Sequence, residues 1–199
     1  MKPPPLIIVM HGPSGVGKDS VIDELRKRTG IHRATSSTDR KPRKGERSGN
    51  HYHFLSHAQF MEKAGRGDFI EWAEVYGDLK GLERSELEEP LSKGEDVIIR
   101  TDVQGARTWR KKLDGAIFIF LMAEDASVLR ARLDGRDTED EESLERRAAE
   151  LDAELADALN NDYVVHNRHG ELEATVEEVA RIIESERMRP GRPAGRVIA

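Results

Sequence analysis

Gly12-Pro13-Ser14-Gly15-Val16-Gly17-Lys18-Asp19 decides how the rest of this chain folds. It matches the phosphate-binding pattern G-x-x-x-x-G-K-[ST] at every fixed position except the last. Before it lies Leu6-Ile7-Ile8-Val9-Met10, an apolar run of strand length without alternation, which is how a parallel strand buried on both faces reads. After it, Ser20 to Arg28 reads as a helix with Val21, Ile22 and Leu25 on one face and Gly30 as its stop. In that context the glycines let backbone N–H groups curl around phosphate oxygens. The helix N-terminus adds partial positive charge, and Lys18 reaches the terminal phosphates. The plainer alternative is a glycine-rich turn joining strand to helix. Asp19 departs from the pattern, because the usual hydroxyl is a neutral magnesium ligand and a carboxylate is charged. It is either a first-turn acid complementing the helix dipole or a direct or water-mediated magnesium ligand. Ser20 keeps a hydroxyl one residue along, rotated by about a quarter turn of helix.

The chain has 199 residues, a net charge of -6 and a pI near 5.7. That length suffices for one α/β core with small insertions. With no cysteine, disulfides, thiolate metal sites and a cysteine nucleophile are excluded, and the composition suits a reducing cytoplasm. Met1-Lys2-Pro3-Pro4-Pro5 runs directly into the first strand, so neither a signal peptide nor a membrane span is expected. An acidic chain is a poor general nucleic-acid binder, and its basic clusters read as local anion sites.

The densest such cluster runs from Ser36 to Phe54, after a short edge-strand candidate at 32–35. Arg40 and Arg43 flank Pro42, which stiffens the segment, and rigid guanidinium forks suit a second phosphate. A solvated loop is the bland alternative. His51, His53 and His57 lack a carboxylate cluster or helical pairing and read as ordinary surface residues. Ser56-His57-Ala58-Gln59 has capping-box form, opening a helix that Gly65 and Gly67 end. Phe69 to Gly77 reads as a strand, in which Glu71 either faces solvent or accepts from donors on a bound ring. Further core strands are expected at 97–102, ending in Asp102, at 116–122 and at 162–167, with a helix over 104–112. Strands alternating with helices mean a parallel sheet covered on both faces. A helix over 127–133 and a Thr138 to Glu141 capping box follow the third core strand, with Arg136 and Arg147 bracketing the turn as a lid's cations would. Residues 187–196, rich in Arg, Pro and Gly, read as a flexible tail.

Together these features resemble the guanylate kinase family over roughly residues 5 to 185. The P-loop is widely shared. More specific is Ser36-Ser37-Thr38-Asp39-Arg40-Lys41-Pro42-Arg43-Lys44-Gly45-Glu46, with Gly49 and Tyr52-His53-Phe54, which looks like the family's S-x-T-T-R-x-P-R-x-G-E-x-x-G-x-x-Y-x-F element. Phe69 to Ala73, Asp102-Val103-Gln104-Gly105 and Gly135-Arg136 come in the family's order and spacing. The resemblance implies a three-layer P-loop kinase fold, with a core of residues 1–35, 88–134 and 148–187, an acceptor-binding insertion at 36–87, a lid at 135–147 and a flexible tail at 188–199. ATP with Mg²⁺ would sit on Gly12 to Ser20, with Asn167 near the adenine end, and GMP in the insertion. By the same resemblance Ser36, Glu71 and Asp102 hold guanine, and Arg40, Arg43 and Tyr52 hold the acceptor phosphate. Lys18, Arg136 and Arg147 act on the transferring group. No nucleic-acid or membrane partner is implied, and the chain is expected to be a monomer or homodimer in the cytoplasm.

The sequence departs from this pattern at four places. Asp19 replaces the Ser of G-K-S, Asp39 the second Thr, and Arg100 an acid at the end of its strand. Gly77-Asp78-Leu79-Lys80-Gly81-Leu82 stands where the family reads G-x-Y-Y-G-[ST], so a phosphate-binding Tyr becomes Lys80 and a guanine-reading hydroxyl becomes Leu82. One neutral hydrogen bond contributes about 0.5 to 1.5 kcal/mol and a charged acceptor about 1.5 to 3, so Glu71 still favours guanine. Two other readings remain: a kinase of a phosphorylated sugar such as ribose 1,5-bisphosphate, which shares G-K-D-S, and a non-catalytic guanylate-kinase-like binding module.

Overall fold

β1 (Ile7–His11) is buried along its whole length and forms the centre of a five-stranded sheet. The computed structural model describes residues 3–43, 45–75, 77–123 and 157–198. Within them α1 (Lys18–Thr29) follows the glycine loop and ends at Gly30, whose φ of 71° is the left-handed conformation a helix stop uses. β2 (His32–Ala34), β7 (Val97–Arg100), β9 (Ile117–Ala123) and β10 (Tyr163–Asn167) complete the sheet in the order β10-β9-β1-β7-β2. All its pairings are parallel, and β2 lies at the edge.

Alternation along β1 divides the core between two faces. Ile8 and Met10 pack with Val21, Ile22 and Leu25 of α1 and with Val176, Val179 and Ile183 of a C-terminal helix, α5 (Leu172–Met188). Ile7 and Val9 pack instead with Leu87 of α3 (Ser85–Ser92) and with Ala106 and Trp109 of α4 (Val103–Lys112). Helices thus cover both faces, as the alternating pattern requires.

The insertion builds its own four-stranded sheet from β3 (Ser37–Thr38), β4 (His53–Phe54), β5 (Phe69–Val75) and β6 (Asp78–Glu83), in the order β4-β3-β6-β5. α2 (His57–Arg66) opens on the expected capping box, with Ser56 accepting from the Gln59 N–H and the Gln59 side chain from the Ser56 N–H. Gly67 ends it, while Gly65 lies inside the helix. Phe60 stacks on Phe69, 4.5 Å between centroids, and Leu79 joins them, so α2 covers one face of the small sheet.

The run expected to be a flexible tail is held against the core. β11 (Arg196–Val197) pairs antiparallel with β8 (Leu113–Asp114), Arg196 meets Asp114 at 2.8 Å, and a side chain on Gly195 would strike Ile7 at 2.8 Å. Its Arg, Pro and Gly content reads as a linker because the partner strand lies some eighty residues away. The helix expected over 127–133, the acidic first turn after Thr138, and Arg136 and Arg147 lie outside the described residues.

Candidate functional site

The glycine loop leaves β1 at the carboxyl end of the sheet, where parallel α/β folds present ligand groups. Gly12 (φ 143°) and Gly17 (φ 97°) adopt conformations that other residues rarely reach. A Cβ on Gly12 would lie 2.1 Å from the Leu121 carbonyl oxygen, and one on Gly17 would lie 2.5 Å from the Asn167 amide nitrogen. Pro13 to Val16 form the turn between them. Lys18 is buried, and its ammonium donates to the carbonyls of Gly12 (2.6 Å) and Pro13 (2.8 Å), curling over the loop it serves. Asn167, at the end of β10, donates to the Val16 carbonyl at 2.7 Å and accepts from the Thr175 hydroxyl at 3.1 Å. Its amide therefore braces the loop from beneath.

Asp19 opens α1 among cations. Arg33 on β2 donates to Oδ1 at 2.6 Å, and Arg100 at the end of β7 donates to Oδ2 at 3.1 Å. Burial pushes the carboxyl up, but the Arg100 and Arg33 guanidiniums, with Lys18 behind them, outweigh it and hold it below the usual carboxylate range. Two of the departures in sequence are thus in contact. Neither arginine was legible as a partner of Asp19, because fourteen and eighty-one residues separate them from it and only the β1-β7-β2 pairing brings them together. A hard cation wants oxygen donors, and the Asp19 carboxylate with Ser20 exposed beside it fits a nucleotide-borne magnesium.

The second sheet meets the first near β7. Opposed residues on adjacent strands share a face, so Thr38 and Ala73 flank Lys80, and Glu71 lies beside Leu82, on the side away from α2. Ser36 stands half-buried one residue before β3, on the side of Thr38 by alternation. Arg40 makes a two-pronged pair with Glu46 (2.9 and 3.0 Å) and lies 5.5 Å from the centre of the Tyr52 ring and 5.7 Å from that of Phe54. Glu46 also accepts from the Arg43 backbone N–H at 2.6 Å, and these bonds lower its pKa to about 2. Glu46 is the clamp that shapes this loop. The Arg43 guanidinium and Lys80 ammonium make no hydrogen bond or close ion pair among the described residues, although the Arg43 charge helps to lower the Glu46 pKa.

Glu71 lies on β5, and Asp102, expected at the end of a strand over 97–102, instead caps α4 two residues past β7, close enough for its charge to act on Glu71. Burial pushes the Glu71 carboxyl up, Lys112 opposes that, and neighbouring Asp102 adds to it. Asp102 also caps α4, accepting from the Gly105 N–H at 2.7 Å. Lys112, which donates to the Ile70 carbonyl at 3.0 Å, was not singled out from sequence. Leu82 is 2% exposed and packs with Ile70 and Leu87, so an apolar residue there extends the core to the edge of the site. The Asp39 substitution is explained as well: its carboxylate accepts from the Leu79 N–H (2.7 Å) and pairs with His57 (2.8 Å), tying the loop to β6 and α2. His53 pairs with Glu86, which also accepts from the Thr35 N–H at 2.7 Å and joins the insertion to the core.

A phosphate loop at the end of a five-stranded parallel sheet, beside a small sheet lined with cations at one end and acids at the other, defines a P-loop kinase. The sequence model described as guanylate kinase matches residues 5–186, and the chain belongs to the guanylate kinase family, which are ATP-dependent nucleoside monophosphate kinases. It is 42% identical over 187 residues to guanylate kinase 2, chloroplastic/mitochondrial, of Oryza sativa subsp. japonica, covering 93% of this chain and 66% of that protein. It is 34% identical to the guanylate kinase of Carboxydothermus hydrogenoformans, covering 97% and 94% of the two. The crystal structure of guanylate kinase from Anaplasma phagocytophilum superposes with a TM-score of 0.75 at 29% identity, covering 96% of this chain and 90% of that one. A Bacteroides thetaiotaomicron shikimate kinase, 16% identical with a TM-score of 0.50, shares the fold alone.

Proposed function

We propose that the chain transfers the γ-phosphoryl group of ATP to GMP or dGMP, giving ADP and GDP. The observation that carries this reading is the division of the acceptor sheet. Arg43 and Lys80 offer unspent positive charge at one end, and Glu71 with Asp102 gathers negative charge at the other. Guanine presents an N1–H and an exocyclic amine, both donors, and adenine presents an acceptor at N1. A paired-carboxylate end therefore selects guanine, while Arg40, Arg43, Lys80 and Tyr52 take its phosphate.

The acceptor phosphate is already a nucleophile, so no protein base has to create one. Lys18 leaves the Gly12 and Pro13 carbonyls for the ATP phosphates, and the loop N–H groups and the start of α1 complete the cradle. Asp19 is the residue that would hold magnesium, directly or through water, and the metal would neutralise charge shared by the β- and γ-phosphates. Asn167 acts by keeping the loop in shape. Arg136 and Arg147, by family resemblance, close over the moving group from the lid and shield it from water. The subdomain division and a cytoplasmic site of action belong to the same proposal. Ala73, exposed on the acceptor face beside Lys80, suits a flat nucleobase better than a sugar-phosphate cage.

A coupled ADP-release assay across GMP, dGMP, AMP, CMP, UMP and ribose 1,5-bisphosphate tests it. GMP and dGMP should be turned over well ahead of the rest. Preference for the sugar phosphate, or no turnover of any acceptor with ATP bound, would overturn the reading.

A further inference from the structure

Asp19 is held by two arginines of different character. Arg33 is nearly enclosed, its side chain 11% exposed, and it ties Asp19 Oδ1 to Asp23 Oδ1 one helical turn along. It is a fixed brace that sets the direction of the carboxylate. Arg100 has a side chain 40% exposed and makes one longer bond, 3.1 Å, to Oδ2, with no other hydrogen-bond or ion-pair partner among the described residues. One oxygen is held by an enclosed arginine and the other by a more exposed one through a longer bond.

The place of Arg100 gives that freedom a use. It ends β7, beside Met10 at the foot of the glycine loop and two residues before Asp102. It therefore stands between the phosphate loop and the acceptor acids. The Asp19 side chain is 53% exposed, so water can reach Oδ2 as well, and Arg100 adds a counter-charge there that another cation can replace. A divalent ion at Oδ2 would repel the guanidinium, and nucleotide phosphates would offer it a new acceptor.

We propose that Arg100 is a resident cation at Asp19 Oδ2 that exchanges with magnesium when the metal–nucleotide complex binds, the released guanidinium turning toward the phosphates between the two substrates. The exchange itself needs only nucleotide and metal. The destination of the guanidinium rests on the GMP kinase reading, and GMP turnover by the wild-type chain tests that reading separately.

The experiment measures binding of fluorescently labelled ADP while magnesium is titrated, in the wild type, Arg100→Gln, Asp19→Asn and the double variant. Removing the competing cation should lower the magnesium concentration for half-maximal binding in Arg100→Gln by about threefold, the scale of one exposed ion pair. Asp19→Asn should need more magnesium than the wild type, and adding Arg100→Gln to it should change nothing. Arg100→Lys, which keeps a cation on the same strand end, should follow the wild type, and thermal melts of every variant control for folding. An unchanged magnesium requirement in Arg100→Gln would overturn the exchange, as would the same shift in the Asp19→Asn background. Loss of ADP binding in Arg100→Gln with and without magnesium would make Arg100 a plain phosphate ligand and likewise overturn it.

Discussion

The two halves of the site are built on opposite principles. The donor half lies within one contiguous stretch, Gly12 to Ser20, and its shape is enforced by backbone. Gly12 and Gly17 pass where no side chain fits, Lys18 rests on loop carbonyls, and Asn167 supports the loop from below. The acceptor half draws on β3, β4, β5, β6 and the start of α4, and side-chain ion pairs hold it. A loop made of backbone binds any nucleoside triphosphate's phosphates in much the same way. A pocket made of side chains from several strands reads one base, and it is the half that holds three of the departures in sequence: Asp39 bonded to β6, Lys80 opposite Thr38 and Leu82 in the core.

The comparison is broken most severely at Lys18. Lys18→Ala should lower kcat by about a hundredfold to a thousandfold, the range for removing one preorganised charge-stabilising donor. The fold should survive, because Lys18 takes no part in the apolar clusters that hold the sheet and helices together. Circular dichroism together with turnover checks both parts.

Next come the acceptor cations. Arg43→Ala should raise KM for GMP about tenfold to a hundredfold and leave KM for ATP nearly unchanged, the loss of one charge-assisted contact. Arg40→Ala should do the same and also loosen the loop, since Glu46 loses its two-pronged partner. Steady-state kinetics with each substrate varied separates the halves, and equal effects on both KM values would merge them.

Leu82 sharpens the contrast in another way. A hydroxyl restored by Leu82→Ser offers guanine one more hydrogen-bond partner, but this side chain packs with Ile70 and Leu87. Truncating a buried leucine costs about 2 to 5 kcal/mol, so a lowered Tm should dominate and any gain in the GMP to AMP ratio should stay within about tenfold. Thermal melts and kcat/KM for both nucleotides decide the balance.

The smallest effect is a shift in pH dependence. Desolvation, with Asp102 adding to it against Lys112, raises the Glu71 pKa. As pH falls, Glu71 therefore gains its proton earlier than an ordinary glutamate and loses its capacity to accept from guanine. The kcat/KM for GMP should decline on the acid side at a higher pH in the wild type than ordinary glutamate titration accounts for. Glu71→Gln should lack that part of the decline while showing a lower GMP to AMP preference throughout. Parallel pH profiles for the two proteins would remove Glu71 from base recognition.

By itself the sequence determined whatever rests on local pattern. The buried run before Gly12, the glycine spacing, Lys18, the capping box at Ser56 and the order of strands and helices are properties of residues a few positions apart. They follow from backbone sterics, hydrophobic periodicity and side chains that bond their own neighbours. Tertiary structure decided what those side chains meet. Asp19 reads alone as a dipole-complementing acid or a metal ligand, and only β7 and β2 show it gripped by Arg100 and Arg33. Asn167 reads as an adenine neighbour, and its bond to the Val16 carbonyl shows only in the fold, while residues 196–197 read as a tail and form a strand on β8. Each of these contacts joins residues distant along the chain, so its energy belongs to the sheet that brings them together and leaves no mark in either local sequence.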